Sequence, residues 1–258
     1  MAYSPDFRTY TPPVSGVAGA AALDQGLRSY MLGVYNWMAS GLLLTGLVAY
    51  SAANTGLRDL FYHAVPTEYG FRLIPTGLGT ISMFAPLAFV LVLSFGVNRL
   101  SKTAVQALYW AFCVVMGASL SSIFFLYAHS SIASVFFVTA AMFAGMSIWG
   151  YTTRSDLSRF GSFLMMGLFG IILASLLNFF IHSSALQFAV SIIGVVVFTG
   201  LTAYDTQRIK LSYTQFAYAE GADGAAKRSV YDALSLYLNF INLFLLLLQL
   251  TGNRNSNS

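Results

Sequence analysis

The sequence predicts an all-α membrane protein, with seven transmembrane helices gathered into one bundle. Two observations carry that prediction: the composition, and the length and spacing of the apolar runs. Of 258 residues, 57% are hydrophobic and only 9% are charged, against roughly 25% charged in an ordinary soluble domain. A soluble chain of this length keeps a large surface in water and has nowhere to put so much apolar area. The surplus must face lipid. A cytosolic enzyme, a nucleic-acid binder with a basic face and a disordered scaffold are all excluded on this ground. Thirteen Lys and Arg against nine acids give a net charge of +4, which reads as a topology signal and not as a nucleic-acid footprint. The single cysteine, Cys113, rules out an intrachain disulfide framework and a multi-cysteine metal centre.

A spanning helix needs about 20 mostly apolar residues, and seven segments qualify: 31–51, 79–97, 104–127, 132–151, 162–181, 185–205 and 230–250. Most gaps between them are short, so neighbours should run antiparallel in a single domain, 29–251. Residues 1–28 are polar, carry Pro5, Pro12 and Pro13, and read as a flexible cytoplasmic tail. Residues 252–258 form a short C-terminal tail. Two connections are longer, 52–78 and 206–229, the second with the turn signal Gly221-Ala222-Asp223-Gly224. Pro86 should kink the second span by removing a backbone donor. Small residues at helix-packing spacing, Ala141 with Gly145, Gly170 with Ala174 and Ala118 with Ser122, should let backbones approach closely.

Counting Lys and Arg by loop orients the bundle. Arg8, Arg28, Arg99, Lys102, Arg154, Arg159, Arg208, Lys210, Lys227 and Arg228 fall on one side, and only Arg58, Arg72 and Arg254 on the other. The positive-inside rule then places the N-terminus in the cytoplasm and the C-terminus outside; the composition fits a bacterial inner membrane, with an organelle membrane as the alternative.

Charge at membrane depth is expensive and calls for a reason. Asp205 ends the sixth span, and Asp232 lies at the same mouth of the seventh. Along the seventh, Asp232, Ser235, Asn239, Asn242 and Gln249 are spaced 3, 4, 3 and 7 apart and therefore share one helix face. Such a stripe cannot face acyl chains, because each unsatisfied group there costs several kcal/mol. Two readings are open: interhelical hydrogen bonds that glue the bundle, or a hydrophilic path. Asp205 at the same depth weighs toward the second.

The run Leu201-Thr202-Ala203-Tyr204-Asp205-Thr206-Gln207-Arg208-Ile209-Lys210, together with Ala233-Leu234-Ser235-Leu236-Tyr237-Leu238-Asn239-Phe240-Ile241-Asn242-Leu243-Phe244, resembles the signatures of the Bax inhibitor family in its bacterial form. Val34-Tyr35-Asn36-Trp37-Met38-Ala39-Ser40-Gly41-Leu42 and Gly117-Ala118-Ser119-Leu120-Ser121-Ser122 add to the likeness, which covers about 25 to 252. The resemblance implies a seven-helix fold with the last helix central, and a pH-modulated passive calcium leak. Two carboxylates sharing a proton would be the sensor, with a basic latch from the second span. By position the first carboxylate maps to Asp205 and the latch to Arg99. The second maps to Asn239, where this sequence departs from the family's usual aspartate. An amide there removes the like charge and can donate to an ionised Asp205.

Calcium takes six to eight oxygens. Asp205, Asn239 and Asn242, with Ser235 and Asp232 as further polar lining, offer too few for storage but enough for a transient stop in a leak path. No cofactor is expected beyond calcium as the permeant ion. A second reading makes the chain a non-transporting regulator that binds a membrane-anchored protease, another membrane protein or a stress-response partner.

No enzyme is expected. Ser119, in a run superficially like an intramembrane serine protease motif, needs a histidine base, and His63, His129 and His182 fall in outer loops or at helix ends. Tyr204-Asp205 lacks the second aspartate motif of an intramembrane aspartyl protease.

Overall fold

The computed structural model describes residues 15–67, 70–96, 100–216 and 222–255. Seven of its helices are long and apolar enough to span a membrane. They are α1 (Ser15–Asn54), α3 (Gly77–Gly96), α4 (Lys102–Leu120) continued by the short α5 (Ile123–Leu126), α6 (His129–Thr152), α7 (Ser158–Ile181), α8 (Ser184–Phe216) and α9 (Ala222–Thr251). A single turn, α2 (Arg58–Phe61), and an antiparallel hairpin, β1 (Tyr62–Thr67) with β2 (Gly70–Pro75), complete the elements among the described residues.

The C-terminal span is the most enclosed. Over its apolar window 61% of α9 is buried, against 11–39% for the other spans. It packs against α1, α4, α6 and α8, and Leu236, Tyr237 and Leu243 on it are fully buried. By contrast α7 leans mainly on α8, and α3 rests on α4 with lesser contacts to α2 and β2. Their outward faces carry Phe84, Phe95, Phe163, Phe179 and Phe180, all exposed, as lipid-facing positions should be.

Four expectations are corrected. The connection 52–78 is not plain loop: its β-prone residues pair from Tyr62↔Pro75 to Thr67↔Gly70. Tyr62 anchors the hairpin, buried beside Phe125 at a ring separation of 5.1 Å. The connection 206–229 is mostly helix, since α8 runs on to Phe216 and α9 starts at Ala222, taking in the supposed turn residues Asp223 and Gly224. A hydropathy window stops where charges begin, but helical periodicity continues. Ile209 is fully buried, and Tyr213 lies against Tyr30 with ring centroids 5.0 Å apart. Helix α1 begins at Ser15, so the second half of the stretch read as a tail is helical. At the other end Asn253 and Asn255 exchange backbone hydrogen bonds with Ala128 and Leu126, which ties down the start of the short tail.

The fourth correction concerns the small residues. A Cβ on Gly145 or Gly170 would meet nothing within 4 Å, so both look outward. Close approach occurs elsewhere. A Cβ on Gly117 would stand 2.6 Å from the Thr45 carbonyl oxygen, and one on Gly150 would overlap the Ala203 backbone. These two glycines set the α1–α4 and α6–α8 spacings. Pair spacing alone does not say which way a helix face points.

Helix ends follow local chemistry. Ser101 Oγ accepts from Ala104 N at 3.3 Å and starts α4, as N-cap serines do. His182 closes α7 at φ 55°, with Asn178 Oδ1 accepting from Ser183 N at 2.9 Å. Ser121 breaks the third span by turning its hydroxyl back to the Ala118 carbonyl at 2.7 Å, the side-chain competition that makes serine a poor helix interior.

Candidate functional site: a buried carboxylate between the last two spans

Asp205 lies within the α8 span and is only 6% exposed. Its Oδ2 accepts from Asn239 Nδ2 at 2.7 Å and from Ser235 Oγ at 2.9 Å. Both donors stand on α9, four residues apart, so one helical turn delivers both. Its Oδ1 meets Arg208 Nη2 at 3.1 Å. The same guanidinium nitrogen donates to Ser235 Oγ at 3.2 Å. The result is a ring of carboxylate, hydroxyl and guanidinium with an amide on its flank, in which the carboxylate acts purely as acceptor. An ionised carboxylate in a bundle survives only when donors are supplied in this way.

The predicted residues divide as follows. Asp205, Asn239 and Ser235 come together. Asn242 does not join them: its amide donates to the Leu238 carbonyl of its own helix at 2.8 Å. Asp232 is bound on another side, accepting from Tyr30 OH of α1 at 2.6 Å, though the charges of Arg208, Asp205 and Arg228 also reach it. Gln249, at the far end of the stripe, accepts from Ser191 Oγ of α8 at 3.0 Å. Apart from Asn242, the polar stripe of α9 is therefore spent on neighbouring helices. Arg99 lies outside the described residues.

Two participants were missed from sequence. Arg208 supplies the cation beside Asp205, and its signal was available: it stands three residues on, within reach on the same helix. Tyr30 had no local signal, since 202 residues separate it from Asp232. Nearby Gln207 holds the α6–α7 loop, accepting from Leu157 N and donating to the Ser155 carbonyl, each at 2.8 Å.

Beyond Asn239 the α8–α9 contact turns apolar. Leu243 stands one turn further along the same face of α9 and is fully buried, and Phe198 and Leu201 of α8 are 6% and 3% exposed. The next polar contact is Ser191 with Gln249. The arrangement is a polar cluster at each end with a mostly apolar plug between, in which Thr202 turns its hydroxyl to the Phe198 carbonyl and the Thr199 hydroxyl is buried without a hydrogen-bond partner among the described residues. Among the described residues, no group of three or more His, Cys, Asp or Glu side chains is placed to hold a metal ion. Any cation at Asp205 would therefore draw on amide, hydroxyl and water oxygens as well.

The histidines stay apart, His63 in β1, His129 opening α6 and His182 closing α7. Cys113 is fully buried among core side chains.

The sequence profile described as "Inhibitor of apoptosis-promoting Bax1" matches residues 27–256. The chain is 44% identical over 246 residues to the Rickettsia prowazekii protein RP147, covering 95% of this chain and 98% of that one. It is 43% identical over 249 residues to a Caulobacter vibrioides protein, covering 95% and 96%. It is 47% identical over 229 residues to the inner membrane protein YbhL of Escherichia coli, covering 89% and 93%. Seven apolar spans, a carboxylate held between the last two, and a profile match across nearly the whole chain together establish that this protein belongs to the Bax inhibitor family of integral membrane proteins.

Proposed function

We propose that the protein is a passive, pH-modulated calcium leak of a bacterial inner membrane, N-terminus cytoplasmic and C-terminus outside, with Asp205 as the charged element of its gate. The observation that carries this reading is the Asp205 carboxylate itself, buried at membrane depth yet given three donors. An ionisable group inside a membrane bundle is costly to keep, and such groups mark ion or proton pathways. The inner-membrane placement is supported by the name of the Escherichia coli relative, and the orientation by the distribution of Lys and Arg.

The gate works by exchange of cations at one carboxylate. Arg208, half-exposed at 46%, occupies Oδ1 in the resting state. A calcium ion arriving from the cytoplasmic mouth displaces it. The ion gains the carboxylate and the Ser235 hydroxyl, takes the Asn239 carbonyl once that amide turns over from its bond to Oδ2, keeps several waters, and is held weakly enough to leave again. Protonation of Asp205 removes the charge and with it the site. Because position 239 is an amide, the carboxylate has no acid partner there with which to share a proton, and pH modulation is shallower than in a paired arrangement.

Reconstitution tests the reading. Liposomes containing only this protein and a trapped calcium dye should fill with calcium, and Asp205→Asn should abolish entry. Sealed liposomes, together with a membrane protease or another membrane protein that co-purifies with the native chain, would favour the regulator reading. The exposed Asp223, paired with Lys102 at 3.1 Å, lies on the rim that the proposed orientation puts in the cytoplasm, where such a partner would have access.

A further inference from the structure

Helices α1 and α6 run antiparallel along the two walls of a cleft of about 930 Å³. Phe240 of α9 closes its back, lying 5.6 Å from the Phe143 ring and 5.5 Å from the Phe136 ring. A second hollow of about 370 Å³ continues it toward His129 and Tyr50. The walls are apolar, built from side chains such as Met31, Leu42, Phe143 and Ala144. The rim faces hydrocarbon, for Leu32, Leu43 and Ile148 are 55%, 66% and 66% exposed.

Among the described residues one charged side chain lines the cleft, Arg28, at the end where α1 begins its span. Arg28 is exposed and makes no ion pair among the described residues. At the same end Tyr151 lies beneath Lys210, whose Nζ is 4.9 Å from the ring centroid and donates to the Tyr151 carbonyl at 2.8 Å. The cleft thus has a long apolar body, a side open to lipid and a cationic end. We infer that it seats one acyl chain of an anionic phospholipid, with the headgroup phosphate on Arg28. Ten residues of helix rise about 15 Å, half the hydrocarbon thickness. A chain entering at Arg28 therefore reaches the level of Met38, within the larger hollow. A guanidinium matches a phosphate in shape and charge. This inference stands whether or not the protein conducts calcium.

Native mass spectrometry of the protein released from vesicles of equal phosphatidylglycerol and phosphatidylethanolamine tests it. The native chain should retain phosphatidylglycerol in preference, and Arg28→Gln should weaken that retention roughly tenfold, as the loss of one charge-assisted contact predicts. Ala144→Phe, which fills the cleft from α6, should expel lipid of either headgroup. Gly170→Phe is the matched control, because its side chain enters open space on α7 outside the cleft. Equal retention of both headgroups by native protein and Arg28→Gln would overturn the inference. So would lipid loss from Gly170→Phe as large as from Ala144→Phe, or a native dimer that Ala144→Phe dissociates, since the cleft would then be a subunit contact.

Discussion

Replacing Asn239 by Asp tests the gate most directly. In the native protein the Asn239 amide nitrogen sits 2.7 Å from Asp205 Oδ2. A carboxylate oxygen in its place would face another at the same distance, with both residues 6% exposed. At an effective dielectric of about 20, two unit charges 2.7 Å apart repel by about 6 kcal/mol, so the two carboxylates cannot both ionise cheaply. Arg208 offsets part of this and remains shared between the two acids. The pair therefore holds one proton in common and releases it as a unit. Calcium entry into dye-loaded liposomes should then fall steeply on acidification for Asn239→Asp, and only shallowly for the native chain. Asn239→Leu, which keeps the branched shape and removes the donor, separates charge from packing: it should lose about 1.5–3 kcal/mol of stability without gaining a steep pH response. Identical pH profiles for the native protein and Asn239→Asp would refute the idea that position 239 sets the proton response of Asp205.

Other parts of the bundle give further expected outcomes. Tyr30→Phe deletes the hydroxyl that donates to Asp232 at 2.6 Å and should cost about 1–3 kcal/mol, read as a lower Tm in detergent. Gly150→Ala drives a methyl into the Ala203 backbone and should cost about 1–3 kcal/mol by forcing α6 from α8. Gly145→Ala, which meets open space, should leave Tm unchanged or raise it. Gln207→Ala frees the Leu157 amide and the Ser155 carbonyl, so hydrogen exchange should quicken at the α6–α7 loop while the spans stay protected. In the same loop the Ser158 hydroxyl, together with the Ser158 amide that donates to Asp156 Oδ1 at 2.9 Å, holds the Asp156 carboxyl below the usual carboxylate range. The stabilising contribution is complete above the unfolded value and is lost as pH falls through the lowered one. Exchange at Ser158 should therefore quicken in acid, and Asp156→Asn should flatten that dependence.

The spans were legible because the membrane imposes a simple rule: about 20 apolar residues per crossing. Their ends were less so. The hydropathy signal stops near Asp205, but α8 continues another eleven residues to Phe216, because Ile209 and Tyr213 recur on the face that packs inward. The Asp205–Asn239 contact was readable from the polar stripe and the C-terminal motifs. The partners of Asp232 and Gln249 were not, because Tyr30 and Ser191 lie on other helices, and periodicity names a face without naming what it meets. Gly145 and Gly170 failed for the same reason, since spacing describes a surface while packing decides whether it is used.

The plug beyond Asn239 decides whether the carboxylate belongs to a path at all. Ser235, Asn239 and Leu243 follow one another at four-residue intervals, and Leu243 is fully buried. An ion that leaves Asp205 along α9 must pass Leu243 before it reaches the polar pair Ser191 and Gln249. Leu243→Ala removes three carbons from that barrier at a cost of about 2–5 kcal/mol in stability, and it leaves every hydrogen bond of the Asp205 cluster in place. If ions travel between α8 and α9, calcium entry should rise in this variant and should still vanish when Asp205→Asn is added. A folded Leu243→Ala protein with unchanged calcium entry places any route elsewhere. Asp205 would then be a structural tie between the last two helices, which is the gluing role that the rest of the stripe already performs.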